Sequence, residues 1–245
     1  MMSAVIILLV QEGKLHINDP ISKYIPDVPY GDTITIEQLL NMRSGLFDYV
    51  TSHIFAAIVD INPCKVWQPE QLLKIAFNNP PYSLPDAQYY YSNTNYILLG
   101  LVAELIECKP LEVIFQERIF DKFGLNNTIL PKCTSNHIPK PYSHGYQFIN
   151  SSYILLENKT FSPYVKDAVK EGKLQSTDIT FLNPSLSWSS GAALSTARDL
   201  AIWIKALVRG KVFDTKYHNI WLNSPKPQDS NKPVMVSTMD TEFFD

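Results

Sequence analysis

Apolar and polar residues recur along this chain mostly at helical spacing. The opening "MMSAVIILLVQEGKL" carries an unbroken apolar run from Ala4 to Val10 and predicts a buried helix that stops near Gly13, a residue suited to the position just past a helix end. "TIEQLLNMRSG" sets Thr35 and Gln38 at capping-box spacing and predicts a helix through Leu39 and Leu40, with Ser44-Gly45 read as its stop. "WQPEQLLKIAFNN" puts Pro69 at a first helical position, and Pro80-Pro81 forbids continuation. "SNTNYILLGLVAELIE" offers Asn93 or Thr94 as N-cap before a run to Glu107. With almost no polar face, that helix is expected to be buried deeply. "KPLEVIFQERIFDKFG" starts at Pro110 and ends at Gly124.

Two later stretches read differently. "HGYQFINSSYILLE" has β-branched and aromatic runs on either side of Asn150-Ser151-Ser152, which predicts a hairpin over about residues 145–157. "STARDLAIWIKALVRG" is amphipathic. Leu200, Trp203, Ile204 and Leu207 form one stripe, Thr196 and Asp199 resemble a capping box, and Gly210 ends the helix. "NSPKPQDSNKP", from Asn223, is polar and proline-bearing and predicts a surface loop.

Composition narrows the chemistry. The chain has 245 residues, a formal net charge of −3 and 45% hydrophobic residues, as expected of a folded globular protein. That charge argues against a nucleic-acid partner, which requires a basic surface. The apolar run at the N-terminus is too short to span a bilayer and lacks the positive flank of a secretory signal. Cys64, Cys108 and Cys133 form no CxxC. His16, His53, His137, His144 and His218 have no ligand spacing, so no metal is expected. With nine glycines and no Gly-rich phosphate loop, no cofactor is expected either. Sequon patterns at Asn126, Asn150 and Asn158 are as frequent as chance predicts in an asparagine-rich chain.

The order of the segments carries more than any one of them. "LLVQEGKLHINDPISKYIPDVP", "ITIEQLLNMRSGLFDY", "YYYSNTNYILLGLVAELI", "RIFDKFGLNNTILP", "HGY" and "SSGAALSTARDLAIWIKAL" follow in fixed succession. This succession resembles the serine β-lactamase and D-alanyl-D-alanine carboxypeptidase family, in its Tyr-x-Asn branch, over roughly residues 3–210. The resemblance implies an α/β fold of β-lactamase/transpeptidase type. It also implies that residues 1–245 are a single incomplete domain: a helix-dominated fragment with few short strands and most of the antiparallel sheet missing. Residues 15–190 would be a mostly helical subdomain. The helices at 1–14 and 195–210 would pack on the sheet.

On the same resemblance Tyr91 is the phenol that exchanges protons with a nucleophile, and Asn93 is the amide that orients substrate. A tyrosine with its ordinary pKa of about 10 is a poor base at neutral pH, so Tyr91 needs a cationic neighbour. The family supplies nucleophile and cation as Ser-x-x-Lys. No serine here is followed by lysine three residues on; the nearest miss is Ser195 to Arg198. Aligning on "QEGKL" puts that motif roughly two to five residues before Met1. A Lys- or His-x-Gly motif is expected after Asp245. Two local departures also stand out. Met42-Arg43-Ser44-Gly45-Leu46 replaces the family's usual His-Thr-Ser-Gly-Leu, and Pro85-Asp86 replaces Pro-Gly. The implied activity is acyl transfer on D-Ala-D-Ala-like peptides, β-lactams or small esters, inactive in this chain as it stands. The alternative is a non-catalytic binding protein using the helical part of the fold. Relatives that act on cell-wall peptides are often exported.

Overall fold

The computed structural model describes residues 1–148, 150–152 and 163–223. The second arm of the expected hairpin, the Asn158 sequon and the polar stretch after Asn223 lie outside them. Ten helices are used below: α1 (Met2–Gln11), α2 (Ile36–Leu40), α3 (His53–Ile61), α4 (Pro69–Phe77), α5 (Asn93–Glu107), α6 (Leu111–Phe115), α7 (Asp121–Phe123), α8 (Pro163–Lys170), α9 (Ala197–Val208) and α10 (Thr215–Leu222). Among the described residues the only sheet is antiparallel, β1 (Tyr146–Gln147) with β2 (Thr177–Asp178). The strand at Tyr146 therefore pairs with a segment some thirty residues on.

Helix α5 is the axis of the core. Ile97, Leu98, Leu99, Val102 and Ala103 are fully buried, and α1, α2, α4 and α6 pack around them. Helix α1 runs parallel to it. Near their N-terminal ends Tyr96 hydrogen-bonds the Ser3 side chain. Past their C-terminal ends Arg118 binds Glu12 through Nη1 at 2.6 Å and Glu107 through Nε at 2.9 Å, and Lys14 reaches Glu107 at 2.8 Å. The Arg118 bond draws the Glu12 pKa from 4.5 down to about 2. For Glu107 burial acts in the raising direction, but the bonds from Lys14 and Arg118 win and its pKa falls. On its far side α5 meets the turn Trp188–Ser190, and Gly100 permits this approach. A Cβ there would fall 2.5 Å from Ser189 Oγ and 2.9 Å from Trp188 Cζ3.

The helix boundaries follow local chemistry. Thr35 and Gln38 close a complete capping box. Pro69 opens α4, where Gln68 and Gln71 add a second box. Gly124, at φ +66°, ends the helical run from Leu111, which passes through a π turn at Gln116–Phe120. Three expectations need correction. Helix α2 ends at Leu40, so Ser44-Gly45 does not stop it. The N-cap of α5 is Ser92, not Asn93 or Thr94. On α9 the buried residues are Asp199, Trp203, Ala206 and Leu207, while Leu200 is 42% exposed. The stripe turns because Asp199 accepts from Asn127 N–H at 2.7 Å and Thr128 Oγ1 at 2.9 Å. Its carboxylate is therefore drawn inward and does not complete a capping box; only the Thr196 half, accepting from Asp199 N–H, is present.

Two loops pack together at the head of α5. Residue 45 accepts from Tyr82 N–H, Arg43 O from Asp86 N–H and Met42 O from Tyr90 N–H, at 2.8–2.9 Å. Gly45 sits at φ +73°, and a Cβ there would lie 2.2 Å from Ser83 O, so only glycine fits. The two departures from the family pattern meet here. The Arg43 guanidinium donates to both the carboxylate and the carbonyl of Asp86, which adopts a left-handed conformation at φ +62°. Arginine and aspartate together thus hold a turn that glycine would adopt unaided.

Three outcomes follow. Gly100→Ala should lower unfolding free energy by about 1–2 kcal/mol in urea titration, overpacking outweighing the gain in helix propensity. A cycle of Arg43→Thr and Asp86→Gly should show positive coupling of about 0.5–1 kcal/mol, with the double variant less destabilised than the sum. Glu12 ionises more readily when folded, so its stabilisation is complete above pH 4.5 and is lost as pH falls toward about 2. Glu12→Gln should melt about 1–3 °C below the parent at pH 7, and this gap should close between pH 4.5 and 2.5.

Candidate active site

The first three residues of α5, Asn93, Thr94 and Asn95, grip the loop of residues 42–49 with their polar side chains. Thr94 Oγ1 donates to Phe47 O at 2.7 Å and accepts from Tyr49 N–H. Asn95 accepts from Ser44 Oγ at 2.6 Å and donates Nδ2 to Met42 Sδ. Ser44 is buried, and its hydroxyl also accepts from Leu46 N–H. It is a latch between loop and helix, bonded to an amide rather than to a base.

Asn93 makes the decisive contact. Its backbone N–H and its Nδ2 both donate to the Asp48 carboxylate, Nδ2 to each oxygen, all at 3.2 Å. Asp48 also accepts from Val50 N–H at 3.3 Å, and its own N–H donates to Tyr82 Oη. Only 4% of Asp48 is exposed. The N-cap hydroxyl, Ser92 Oγ, is buried without a hydrogen-bond partner. The charge at the head of α5 is therefore supplied by a carboxylate from another loop, where the helix dipole favours an anion.

With Nδ2 turned to Asp48, Asn93 Oδ1 faces the other way and accepts from Tyr91 Oη at 3.2 Å. Tyr91 is half-exposed at the rim. Burial, then the Asp48 carboxylate, push its pKa up. At neutral pH Tyr91 is a neutral phenol and a proton donor, and the charge that bears on it is negative. Beneath the loop, Tyr49 donates to Leu186 O at 2.7 Å and sits 3.5 Å from Ser190 Oγ, tying in the turn Trp188–Ser190. Burial raises the Tyr49 phenol strongly. The rings of Phe47, Tyr82 and Tyr90 meet in succession at 5.2 Å between centroids, each pair tilted by about 40°.

Tyr91 and Asn93, the two residues singled out from the sequence, are thus joined directly. Asp48, Ser44, Asn95 and Tyr49 were not foreseen. The one available signal for Asp48 was a lone acid inside the apolar, aromatic stretch "GLFDYV". Among the described residues no three His, Cys, Asp or Glu side chains converge to hold a metal, and no helix is long and apolar enough to cross a membrane.

The chain resembles known proteins in sequence and in fold. The chain is 26% identical over 216 residues to the putative penicillin-binding protein PbpX of Bacillus subtilis, covering 88% of this chain and 46% of that protein. It is 26% identical over 235 residues to penicillin-binding protein 4* of the same organism, covering 90% and 50%. The chain thus spans about half the length of these curated relatives. Among solved structures, a D-stereospecific amidohydrolase from Streptomyces sp. superposes with a TM-score of 0.81 at 27% identity, over 95% of this chain and 64% of that one. D-amino acid amidase from Ochrobactrum anthropi SV3 superposes at 0.72 and 25% identity, over 92% and 57%. The fold is of β-lactamase/transpeptidase type, helix-rich over the described residues. A sequence model of the Beta-lactamase family matches residues 1–229, and the chain belongs to that family of β-lactamase-related hydrolases.

Proposed function

We propose that Tyr91 and Asn93 are part of the acyl-transfer site of a serine hydrolase acting on amides or peptides with a D-configured acyl residue, or on β-lactams or small esters. Tyr91 would exchange the proton of the nucleophile, and Asn93 would orient the substrate. The nucleophile and its lysine would come from a Ser-x-x-Lys segment leading into α1.

The parallel packing of α1 and α5, with Ser3 bonded to Tyr96, carries this reading. It brings the head of α1 beside the first turn of α5, which bears Asn93. A lysine one turn further up the α1 helix would approach the same loops. Such an ammonium would oppose both influences that now raise the Tyr91 pKa, and so make the phenol usable as a base near neutral pH. Names of similar proteins that specify D-amino acid amides and penicillin binding favour this substrate class.

The test starts with the coding sequence on both sides of residues 1–245. An in-frame Ser-x-x-Lys upstream and a Lys- or His-x-Gly downstream are expected; a stop codon before any Ser-x-x-Lys would favour the binding-protein alternative. Fluorescent penicillin should label the whole reading frame stoichiometrically and the 245-residue chain not at all. Tyr91→Phe in the whole protein should slow acylation by about 10²–10⁴-fold with an unchanged melting temperature. Undiminished acylation in that variant, or labelling of the short chain, would refute the assignment.

A further inference from the structure

We propose that Asp48 is the positioning residue of this site: its buried carboxylate decides which way the Asn93 amide faces, Nδ2 inward and Oδ1 toward the Tyr91 phenol. The inference rests on the acyl-transfer reading of Tyr91 and Asn93, and assigns Asp48 no contact with substrate.

An ionised carboxylate can only accept. Both oxygens of Asp48 face Asn93 Nδ2 at 3.2 Å, so the reverse orientation would set a carbonyl oxygen against two carboxylate oxygens. The Asn93 backbone N–H binds Oδ1 at the same distance, so the side chain cannot swing clear without leaving a helix-end donor unpaired. Orientation therefore passes from Asp48 through the amide to Tyr91, whose hydroxyl is given an acceptor and a direction. Asp48 is itself held by Val50 N–H and, at its own N–H, by Tyr82 Oη. Tyr82 Oη lies 2.8 Å from Thr51 Oγ1, which donates to Asp48 O. A residue needed only to cap α5 would require one oxygen on one backbone N–H. The second set of bonds, to the side-chain amide, is what a capping role leaves unexplained.

Asp48→Asn tests this with little change of shape. Its amide nitrogen must face Asn93, forcing Asn93 Oδ1 inward and its NH2 toward Tyr91 Oη. Asp48 is the charge that bears on Tyr91, and Tyr91 in turn bears on the phenols of Tyr49, Tyr89 and Tyr96. In the 245-residue chain, NMR of 13Cζ-labelled tyrosine, assigned with Tyr91→Phe, should show the Tyr91 titration midpoint falling in Asp48→Asn while Tyr96 stays unmoved. The Asn93 side-chain NH2 resonances should lose their protection from exchange. Unchanged Tyr91 and Asn93 signals would overturn the proposal, and so would a shift of all the phenols together, which marks loosened packing.

In the whole protein Asp48→Asn should lower the acylation rate about 10–100-fold with little change in KM. It should add no further loss in an Asn93→Ala background, because its effect runs through that amide. Multiplying losses would overturn it. If the parent protein acylates no probe, the acyl-transfer reading fails, and the NMR arm alone decides whether Asp48 orients the amide.

Discussion

A carboxylate buried at the head of a helix is the constraint on which the rest of this structure depends. Burying an ionised group in a protein interior is costly unless each lone pair finds a donor. Asp48 finds them in Val50 N–H, Asn93 N–H and Asn93 Nδ2. One of these donor residues is two positions from Asp48 and the other 45 positions from it, so satisfying the charge and closing the loop onto α5 are one event. The hydroxyls of Ser44 and Thr94 and the Asn95 amide then complete a seam of buried polar contacts whose members depend on one another. Behind it the apolar face of α5 supplies the burial energy. The seam adds little net stability of its own, and what it contributes is a single register of loop against helix.

Helices whose signals lie within the helix itself were legible in the sequence. Thr35 with Gln38, Pro69 and Gly124 each act over three or four residues, and the structure puts each boundary within a residue of the expected one. Three of the features that local signals missed share a cause. Ser92, not Asn93, caps α5 because the anion at that helix end comes from Asp48. Asp199 leaves its capping box because Asn127 and Thr128 draw it inward. β1 pairs with Thr177–Asp178, a partner no local pattern announces. In every case a contact distant in sequence overrode a local preference.

Arg43 and Asp86 make the same point from the other side. Read singly, each is an unexplained departure from the family pattern. Asp86 costs roughly 1–2 kcal/mol in a left-handed turn where glycine would cost none. Together they form a double attachment, side chain and carbonyl, between the two loops that flank Tyr91. The Asp86 side chain is 63% exposed, so the charge attraction alone is small. The value of the pair lies in conformational restriction of the 82–91 loop rather than in Coulomb energy. Such exchange of intrinsic turn preference for a cross-link can be recognised only when both residues are seen in contact.

The electrostatics of Tyr91 link these structural devices to chemistry. A phenol that must both give and take a proton needs a pKa that its surroundings can move. Here burial and Asp48 act in one direction, keeping the proton on oxygen and aiming it at Asn93 Oδ1. A nearby ammonium would act in the other. Because Asp48 is fixed by its own hydrogen bonds, its influence on Tyr91 is constant, and on the acyl-transfer reading the protonation state of the phenol would respond to the cation. On the acyl-transfer reading, that asymmetry separates two tasks. The buried acid sets geometry and a resting state with the proton in place, while a mobile or substrate-sensitive cation would switch the phenol toward phenolate. A site with the cation but without the buried acid would hold Asn93 in either of two orientations and give Tyr91 no preferred direction for its proton.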